Sequence, residues 1–404
     1  MIAPPKLGDS SPRTGTPRLF VDARTRTADG IDAGHRLLGL SLLERTTLAA
    51  RRSGYGAIFV LAQGEDVERF RRLLARIAGA TVDAALPERD DALVPTVCVS
   101  GLVLGERGWL DAAAGLAVPA DGVLAPFAGV VVCGADVPPG RAAGLLAEAP
   151  ASASAAASAE VPFHIAGAAD LRAAEKRLLR SLGKKTDGYM ERHVERPISW
   201  RISRLLASTP ITPNQMTLFS AAVGLLAAPF FLSAAPLWQT IGALLFLAHS
   251  ILDGCDGELA RLKFQESRWG GILDFWGDNV VHSAIFGCMA VGWSHAIGTA
   301  WPLALGAAAV LGTLGSASFV YWRVMRPKRG EGPLYVSVAK GPGSRLTGLL
   351  DSLSRRDFIY LVLILSLPGK AAWFLALAAI GAPIFFAMLL VVAAQERTHQ
   401  LARP

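Results

Sequence analysis

Four aspartates carry most of the chemistry this chain could perform. The run Asp253-Gly254-Cys255-Asp256-Gly257-Glu258-Leu259-Ala260-Arg261 ends one long apolar stretch, and Gly270-Gly271-Ile272-Leu273-Asp274-Phe275-Trp276-Gly277-Asp278 opens the next. Asp253, Asp256, Gly257 and Ala260 recur at i, i+3, i+4 and i+7, and Gly270, Asp274 and Asp278 at i, i+4 and i+8. Each set therefore shares one face of a helix. Only a short turn separates the two helices, so the faces can oppose each other and gather four carboxylates at a membrane edge. Such a cluster repels itself and resists burial. Divalent cations resolve the conflict: oxygen ligands suit Mg2+ or Mn2+, and two ions about 3.5–4 Å apart can clamp a phosphate undergoing displacement. The glycines let a bulky ligand approach the backbone. Helix-end charges that merely face solvent would need neither the strict register nor the glycines.

The elements that must position these residues are long apolar helices. Of the 404 residues, 52% are hydrophobic, and the mean hydropathy of +0.38 is high for a soluble protein. The apolar runs crowd the second half, which predicts an all-α bundle of six transmembrane helices. The spans are expected at Asn214–Ala234, Leu237–Leu259, Ile272–Ile297, Trp301–Val324, Phe358–Leu367 with its flanks, and Ala371–Ala394. Arg261, Lys263 and Arg268 fall between the second and third spans, Arg323 to Arg356 between the fourth and fifth, and Arg397 and Arg403 after the sixth. By the positive-inside rule both termini and the aspartate cluster are cytoplasmic.

The first half reads differently. Apolar strands at Leu19–Ala23, Ala57–Ala62, Val94–Leu104 and Gly129–Cys133 alternate with amphipathic helices at Ser41–Ser53 and Glu65–Ile77. This pattern predicts a layered α/β domain with a mostly parallel sheet over residues 1–160. Ala149–Ala159 has the composition of a linker. Between 161 and 211 come a charged helix at Ala168–Leu182 and a juxtamembrane helix at Asp187–Leu206. The latter can turn Ile198, Trp200, Ile202, Leu205 and Leu206 to lipid while Arg192, Arg196, Arg201 and Arg204 stay wet. A helix packed on the soluble domain is the alternative. The membrane domain then occupies 212–404.

The pattern Asp-x2-Asp-Gly-x2-Ala-Arg-x8-Gly-x3-Asp-x3-Asp from Asp253 to Asp278 resembles the signature of the CDP-alcohol phosphotransferase (CDP-alcohol phosphatidyltransferase) family at every fixed position. Pro213-Asn214-Gln215-Met216-Thr217 is similar to that family's entry to the first span, so the resemblance covers roughly the last half of the chain. It implies that Asp253, Asp256 and Asp274 are metal ligands, and that Asp278 completes the metal site and acts as general base. It implies further that Asn214, Thr217, Asp253, Gly257, Ala260, Arg261, Ser267 and Gly270 surround the CDP moiety, Ser267 as a weaker contact. The implied reaction is attack by an acceptor hydroxyl on the phosphorus bearing the donor alcohol, with release of CMP and dependence on Mg2+ or Mn2+.

Ser354-Arg355-Arg356-Asp357-Phe358 lies before the fifth span on the same side. The arginine pair could grip an acceptor phosphate bidentately or simply anchor the helix by charge. Arg323 and Lys340 are weaker candidates for that phosphate. His249 and His282 lie in apolar helices and suit packing or helix–helix hydrogen bonds better than metal ligation.

Gly34 to Thr46 followed by Ala57-Ile58-Phe59-Val60-Leu61 resembles part of a sugar-nucleotide or cytidylyl transferase fold. The stretch after Leu19–Ala23 lacks the Gly-x-Gly of that family's phosphate-cradling loop, and Val97-Cys98-Val99-Ser100-Gly101 lacks its metal-binding aspartate. The resemblance thus implies a degenerate, non-catalytic nucleotidyltransferase-like domain. The combination resembles bifunctional inositol-phosphate cytidylyltransferase and di-inositol-phosphate-phosphate synthase proteins, which favours inositol phosphate or another polyol phosphate as acceptor. A phospholipid synthase using CDP-diacylglycerol is the close competitor, and a homodimer is left open.

Charge and cysteine usage narrow the rest. The net charge is +7, but the basic residues flank apolar segments, which suits anionic membrane lipids and not nucleic acid. Four scattered cysteines form no CxxC pair, so neither a disulfide framework nor a zinc site is indicated. A transporter would need its carboxylates deeper in the bundle, and a nucleotide sensor would need binding without turnover.

Overall fold

The computed structural model describes residues 16–85, 95–138, 141, 144–146, 161–183, 187–326 and 358–401. The chain divides into two compact units, Met1–Ser181 and Leu182–Pro404.

The first unit is built on a six-stranded sheet. β1 (Arg18–Asp22) runs parallel to both its neighbours, β4 (Ile58–Leu61) and β6 (Thr96–Ser100), with β5 (Ala80–Asp83) parallel beyond β4. β8 (Val130–Cys133) and β7 (Val123–Phe127) close the other edge in antiparallel sense. Leu19, Val21, Ile58, Val60, Val97 and Val99 are all buried. Near-continuous apolar runs of this kind belong to sheets covered on both faces. The two strands of this sheet that the sequence pattern did not reveal, β5 and β7, lie at its edges; β5 is only four residues long and β7 carries Pro126.

A small hairpin, β2 (Arg36–Leu37) and β3 (Leu40–Ser41), leads into the helix α1 (Leu42–Arg52). Its turn residues Leu38 (φ 51°) and Gly39 (φ 85°) both have positive φ, as a type I′ turn requires. The left-handed cost of about 1–2 kcal/mol at Leu38 is offset by burial of its side chain. α1 starts in a capping box: Glu44 N donates to Ser41 Oγ at 3.1 Å and Ser41 N to Glu44 Oε2 at 2.8 Å. α2 (Asp66–Leu74) and α3 (Arg107–Ala114) follow.

Buried acids at the C-terminal edge of β1 are met by arginines of the same unit. Asp22 receives Arg24 Nε at 2.9 Å and Nη2 at 2.8 Å, while Asp32 receives Arg69 Nη1 at 2.7 Å. α4 (Ala168–Ser181) is fastened to this unit by a buried ion pair, Arg177 Nη2 to Glu106 Oε2 at 2.7 Å. Arg177 Nη2 also donates to Val161 O at 2.6 Å.

In the second unit a π-helical turn, Glu191–Glu195, runs into α5 (Arg196–Ala207). Over this stretch the buried residues are mostly polar, Glu195, Arg196, Ser199 and Ser203 beside Ala207, whereas Val194, Ile198 and Leu205 are exposed. Arg192, Arg201 and Arg204 are exposed as the amphipathic pattern predicts. Arg196 is not wet as that pattern predicts; it is 3% exposed, because three carboxylates draw it inward.

α6 (Pro213–Ala227) continues through a 3-10 turn to Leu232 and is followed by α7 (Pro236–Lys263), α8 (Arg268–Ile297) and α9 (Trp301–Val320). α9 passes into a π-helical turn, Tyr321–Met325, and the described chain ends with α10 (Phe358–Ser366) and α11 (Ala371–Leu401). Among the described residues, four helical segments are long and apolar enough to cross a membrane: Pro213–Leu232, Arg268–Ile297, Trp301–Met325 and Ala371–Gln395. The second and fifth of the six expected spans are not among them. α7 is long enough, but its last turns carry Asp253, Asp256, Glu258, Arg261 and Lys263, and the described part of α10 has nine residues. Arg355, Arg356, Lys340 and the 149–159 linker lie outside the described residues.

Small residues set the helix spacing: a Cβ on Gly312 would come within 2.6 Å of the Ala382 and Pro383 backbone. Phe231, Phe246, Ile285, Phe286, Ile359 and Phe374 fill the core between the helices.

Burial pushes the Glu106 carboxyl above the usual glutamate range, and Arg177 pulls it back. Arg177→Met removes the guanidinium that hydrogen-bonds that buried carboxylate, which should destabilise the first unit by about 3–5 kcal/mol. The raised Glu106 pKa makes protonation favour the folded state, so the loss should be smaller near about pH 5 than near about pH 8. Thermal unfolding of the full chain and the variant at both values checks this; equal losses at both would exclude a charged Glu106 as the cause.

Candidate metal centre

α7 and α8 are joined by a four-residue reversal, 264–267. Phe264 sits in the left-handed region at φ 55° and ends α7, with Gln265 N donating to Ala260 O at 2.8 Å. Ser267 caps α8, its Oγ accepting from Gly270 N at 3.0 Å. The two helices leave this turn with their aspartate-bearing ends side by side.

One oxygen each from Asp253, Asp256 and Asp274 lies within 4.8 Å of the others. Asp253 and Asp256 are 5% and 6% exposed, and Asp274 is half-buried. At an effective dielectric of about 20, two full charges at that spacing repel by about 3 kcal/mol. Three such pairs approach the net stability of a whole domain. The group therefore calls for a counter-charge, and its all-oxygen donor set fits a hard divalent cation.

α6 contributes from the third side. Thr212 and Gln215 cap it reciprocally, with Thr212 N donating to Gln215 Oε1 at 2.9 Å. This sets Thr217 one turn in, buried, where its single Oγ1 proton is shared between Asp256 Oδ2 and Pro213 O. Asn214 lies beside the start of α8: a Cβ on Gly270 would sit 2.9 Å from Asn214 Oδ1 and 3.0 Å from Ser267 Oγ. Asn214, Ser267 and Gly270, which the family resemblance implies surround one nucleotide, are thus brought together. Arg261 lies over Gly257, whose Cβ would be 3.4 Å from its Nη1, and its Nη2 donates to Leu182 O at 3.0 Å. Arg261 Nε is buried without a hydrogen-bond partner among the described residues. Ala260 is half-buried on the same face of α7 as Asp256.

Asp278 is not part of the three-carboxylate group. It lies one turn further along α8, where its Oδ1 is 3.4 Å from His249 Nε2. His249 makes the helix–helix bond its apolar setting predicts, Nδ1 donating to Ser220 O at 2.8 Å. Its approach to Asp278 had no sequence signal, since the two residues belong to different helices. Gly224 makes the room: a Cβ there would lie 2.8 Å from His249 Cγ and 2.6 Å from Val281 Cγ1. Glu258 and Arg196, also unmarked in the sequence, meet behind α7 at 2.8 Å.

A model of the CDP-alcohol phosphatidyltransferase family matches residues 210–395. Archaetidylinositol phosphate synthase of Pyrococcus horikoshii is 30% identical over 176 residues, covering 43% of this chain and 86% of that protein. The chain belongs to this family. It is also similar to proteins named "Bifunctional IPC transferase and DIPP synthase". The one from Thermococcus kodakarensis is 38% identical over 122 residues, 30% of this chain and 27% of that protein. The one from Archaeoglobus fulgidus is 41% identical over 106 residues, 26% of this chain and 21% of that protein. The chain thus spans between a fifth and a third of the length of these bifunctional relatives.

Gly224→Leu should drive a side chain into His249 and Val281 and destabilise the membrane unit by about 1–3 kcal/mol. Thermal unfolding in detergent measures it; an unchanged midpoint would mean that α6 and α7 separate freely there.

Proposed function

We propose that the membrane unit transfers a substituted phosphate group from a CDP-alcohol to an acceptor hydroxyl, releasing CMP. The observation that carries this reading is the convergence of Asp253, Asp256 and Asp274 within 4.8 Å, on helices that also bear the family's glycines. Asp253, Asp256, Asp274 and Asp278 would hold Mg2+ or Mn2+, two ions in all, which would neutralise the donor diphosphate and the departing CMP. Asn214, Thr217, Gly257, Ala260, Ser267 and Gly270 line the CDP moiety together with Asp253, and the bare glycine backbone admits it closely. Arg261 steadies the phosphate of the leaving CMP. Asp278 takes the proton of the acceptor hydroxyl. Arg355 and Arg356 are proposed to grip an acceptor phosphate.

The acceptor is inositol phosphate or another polyol phosphate, a reading supported by the name of the Pyrococcus relative. CDP-diacylglycerol remains a candidate donor because the aspartates end helices beside segments apolar enough to cross a membrane, where a lipid donor could enter sideways. The basic residues Arg261, Lys263 and Arg268 beside the α7–α8 turn support a cytoplasmic active site and cytoplasmic termini. Oligomeric assembly as a homodimer is compatible with this arrangement.

A CMP-release screen in liposomes tests the reaction, crossing CDP-diacylglycerol and CDP-inositol with inositol phosphate, glycerol phosphate, serine and inositol. Asp256→Asn should abolish release, as should a chelator, whereas Asp278→Asn should lower it by about 10²–10⁴-fold with donor binding retained. Turnover indifferent to chelator would sink the metal assignment.

We assign the first unit to a degenerate nucleotidyltransferase-like domain. In open α/β sheets ligands bind at the C-terminal edge of the strands, and there Asp22 and Asp32 are engaged by Arg24 and Arg69. The full chain should release no pyrophosphate from CTP in the presence of a polyol phosphate. Pyrophosphate release dependent on that acceptor would overturn this assignment.

A further inference from the structure

The last turns of α7 hold a carboxylate that the proposed reaction does not use. Glu258 follows Asp256 by two residues, so it points about 200° away around the helix. It is fully buried, at 0% exposure, a state that charged side chains reach only with partners. The partners all come from one face of α5. Arg196 Nη1 lies 2.8 Å from Oε1, Ser199 Oγ donates to Oε1 at 2.7 Å, and Ser203 Oγ donates to Oε2 at 2.7 Å. Arg196 is held in turn by Asp187, from Nε at 2.8 Å and Nη2 at 3.0 Å, and by Glu191 at 2.9 Å. Two further anchors lie on either side along α7. Ser250 Oγ donates to Glu195 Oε2 at 3.0 Å, and Lys263 Nζ donates to Thr209 O and Ile211 O, both at 2.7 Å.

A buried ion network is poor value as a source of stability, because an apolar replacement of similar shape is often as stable or more so. What it does provide is direction, since every donor must meet its acceptor at one angle. The carboxylate oxygens on the opposite face of α7 stand about 6 Å from the helix axis, so a rotation of about 20° would move them by about 2 Å. A metal or catalytic constellation tolerates displacements of only about 0.5 Å. The seam also has an apolar part, Cys255 and Leu259 of α7 beside Ile202 and Leu206 of α5, which alone would allow such a rotation; the ion network resists it.

We propose that Glu258 and Arg196 are positioning residues for the metal centre, locking the rotation of α7 so that Asp253 and Asp256 face Asp274. The inference rests on the metal reading of those aspartates. The test is Mn2+ binding by electron paramagnetic resonance titration of the purified full chain in detergent, run beside thermal unfolding and CMP release. Wild type is compared with Glu258→Gln, Arg196→Met, Arg196→Lys and Ser203→Ala. Glu258→Gln and Arg196→Met should weaken Mn2+ binding by about 10–100-fold, the usual effect of losing a residue that orients a ligand. Arg196→Lys should recover part of that loss. Ser203→Ala removes one of three donors and should fold even where the others do not, with a smaller weakening in the same direction. If variants unfold at lower temperature yet bind Mn2+ as wild type does, the network is merely structural and the inference is overturned. If wild type itself binds no Mn2+, the metal reading fails and takes this inference with it.

Discussion

Holding three carboxylates within 4.8 Å of one another at the end of an apolar bundle is the constraint around which the second unit is arranged. Left as bare charges they would cost on the order of 10 kcal/mol, as much as most domains have to spare. Helix propensity has no such reserve, so the geometry must come from tertiary contacts that outlast the repulsion. The turn between α7 and α8 is one of them. It accepts a left-handed Phe264, at a cost of about 1–2 kcal/mol, to reverse the chain within four residues. A longer loop would avoid that cost and let the aspartate faces drift apart.

α7 meets this constraint by using its two faces for opposite purposes. One face carries Asp253, Asp256, Gly257 and Ala260 toward α6 and α8, with Thr217 donating directly to Asp256. The other carries Glu258 into the hydroxyls and guanidinium of α5. Ala243 and Phe246 are buried in the bundle core and Cys255 and Leu259 pack with Met216, but in the last turns charge on both sides weakens the amphipathic logic that usually orients a helix. There hydrogen-bond direction takes its place. The same substitution explains α5, whose buried stripe is mostly polar and whose exposed stripe includes Ile198 and Leu205.

The sequence made legible what repeats along one chain segment. The aspartate register and the central strands of the first unit could both be read locally, since each depends on a period of two or of about 3.6 residues. What local spacing could not reveal are meetings between distant segments. Arg196 reads as one more basic residue on an amphipathic face, and its burial depends on Glu258, 62 residues away, as well as on the nearer Asp187 and Glu191. His249 and Asp278 likewise belong to different helices. Edge strands β5 and β7 escaped for another reason: β5 alternates over only four residues, too few to stand out, and β7 is interrupted by Pro126.

The two units handle buried acids by different means, and the difference bears on what each can bind. In the first, Asp22 and Asp32 stand where an open α/β sheet receives its ligand, and Arg24 and Arg69 grip them at 2.7–2.9 Å. A cation entering there would have to displace a guanidinium that is already well paired, and an anion would meet acids that are already neutralised. In the second, Asp253, Asp256 and Asp274 are turned toward one another, while the nearby Arg196 is drawn off to Glu258, Asp187 and Glu191 on the far side of α7. Keeping that arginine away leaves the strongest local demand for positive charge between the aspartates. On the proposed metal reading, Glu258 would act with Asp187 and Glu191 to keep that guanidinium from competing for the aspartate oxygens.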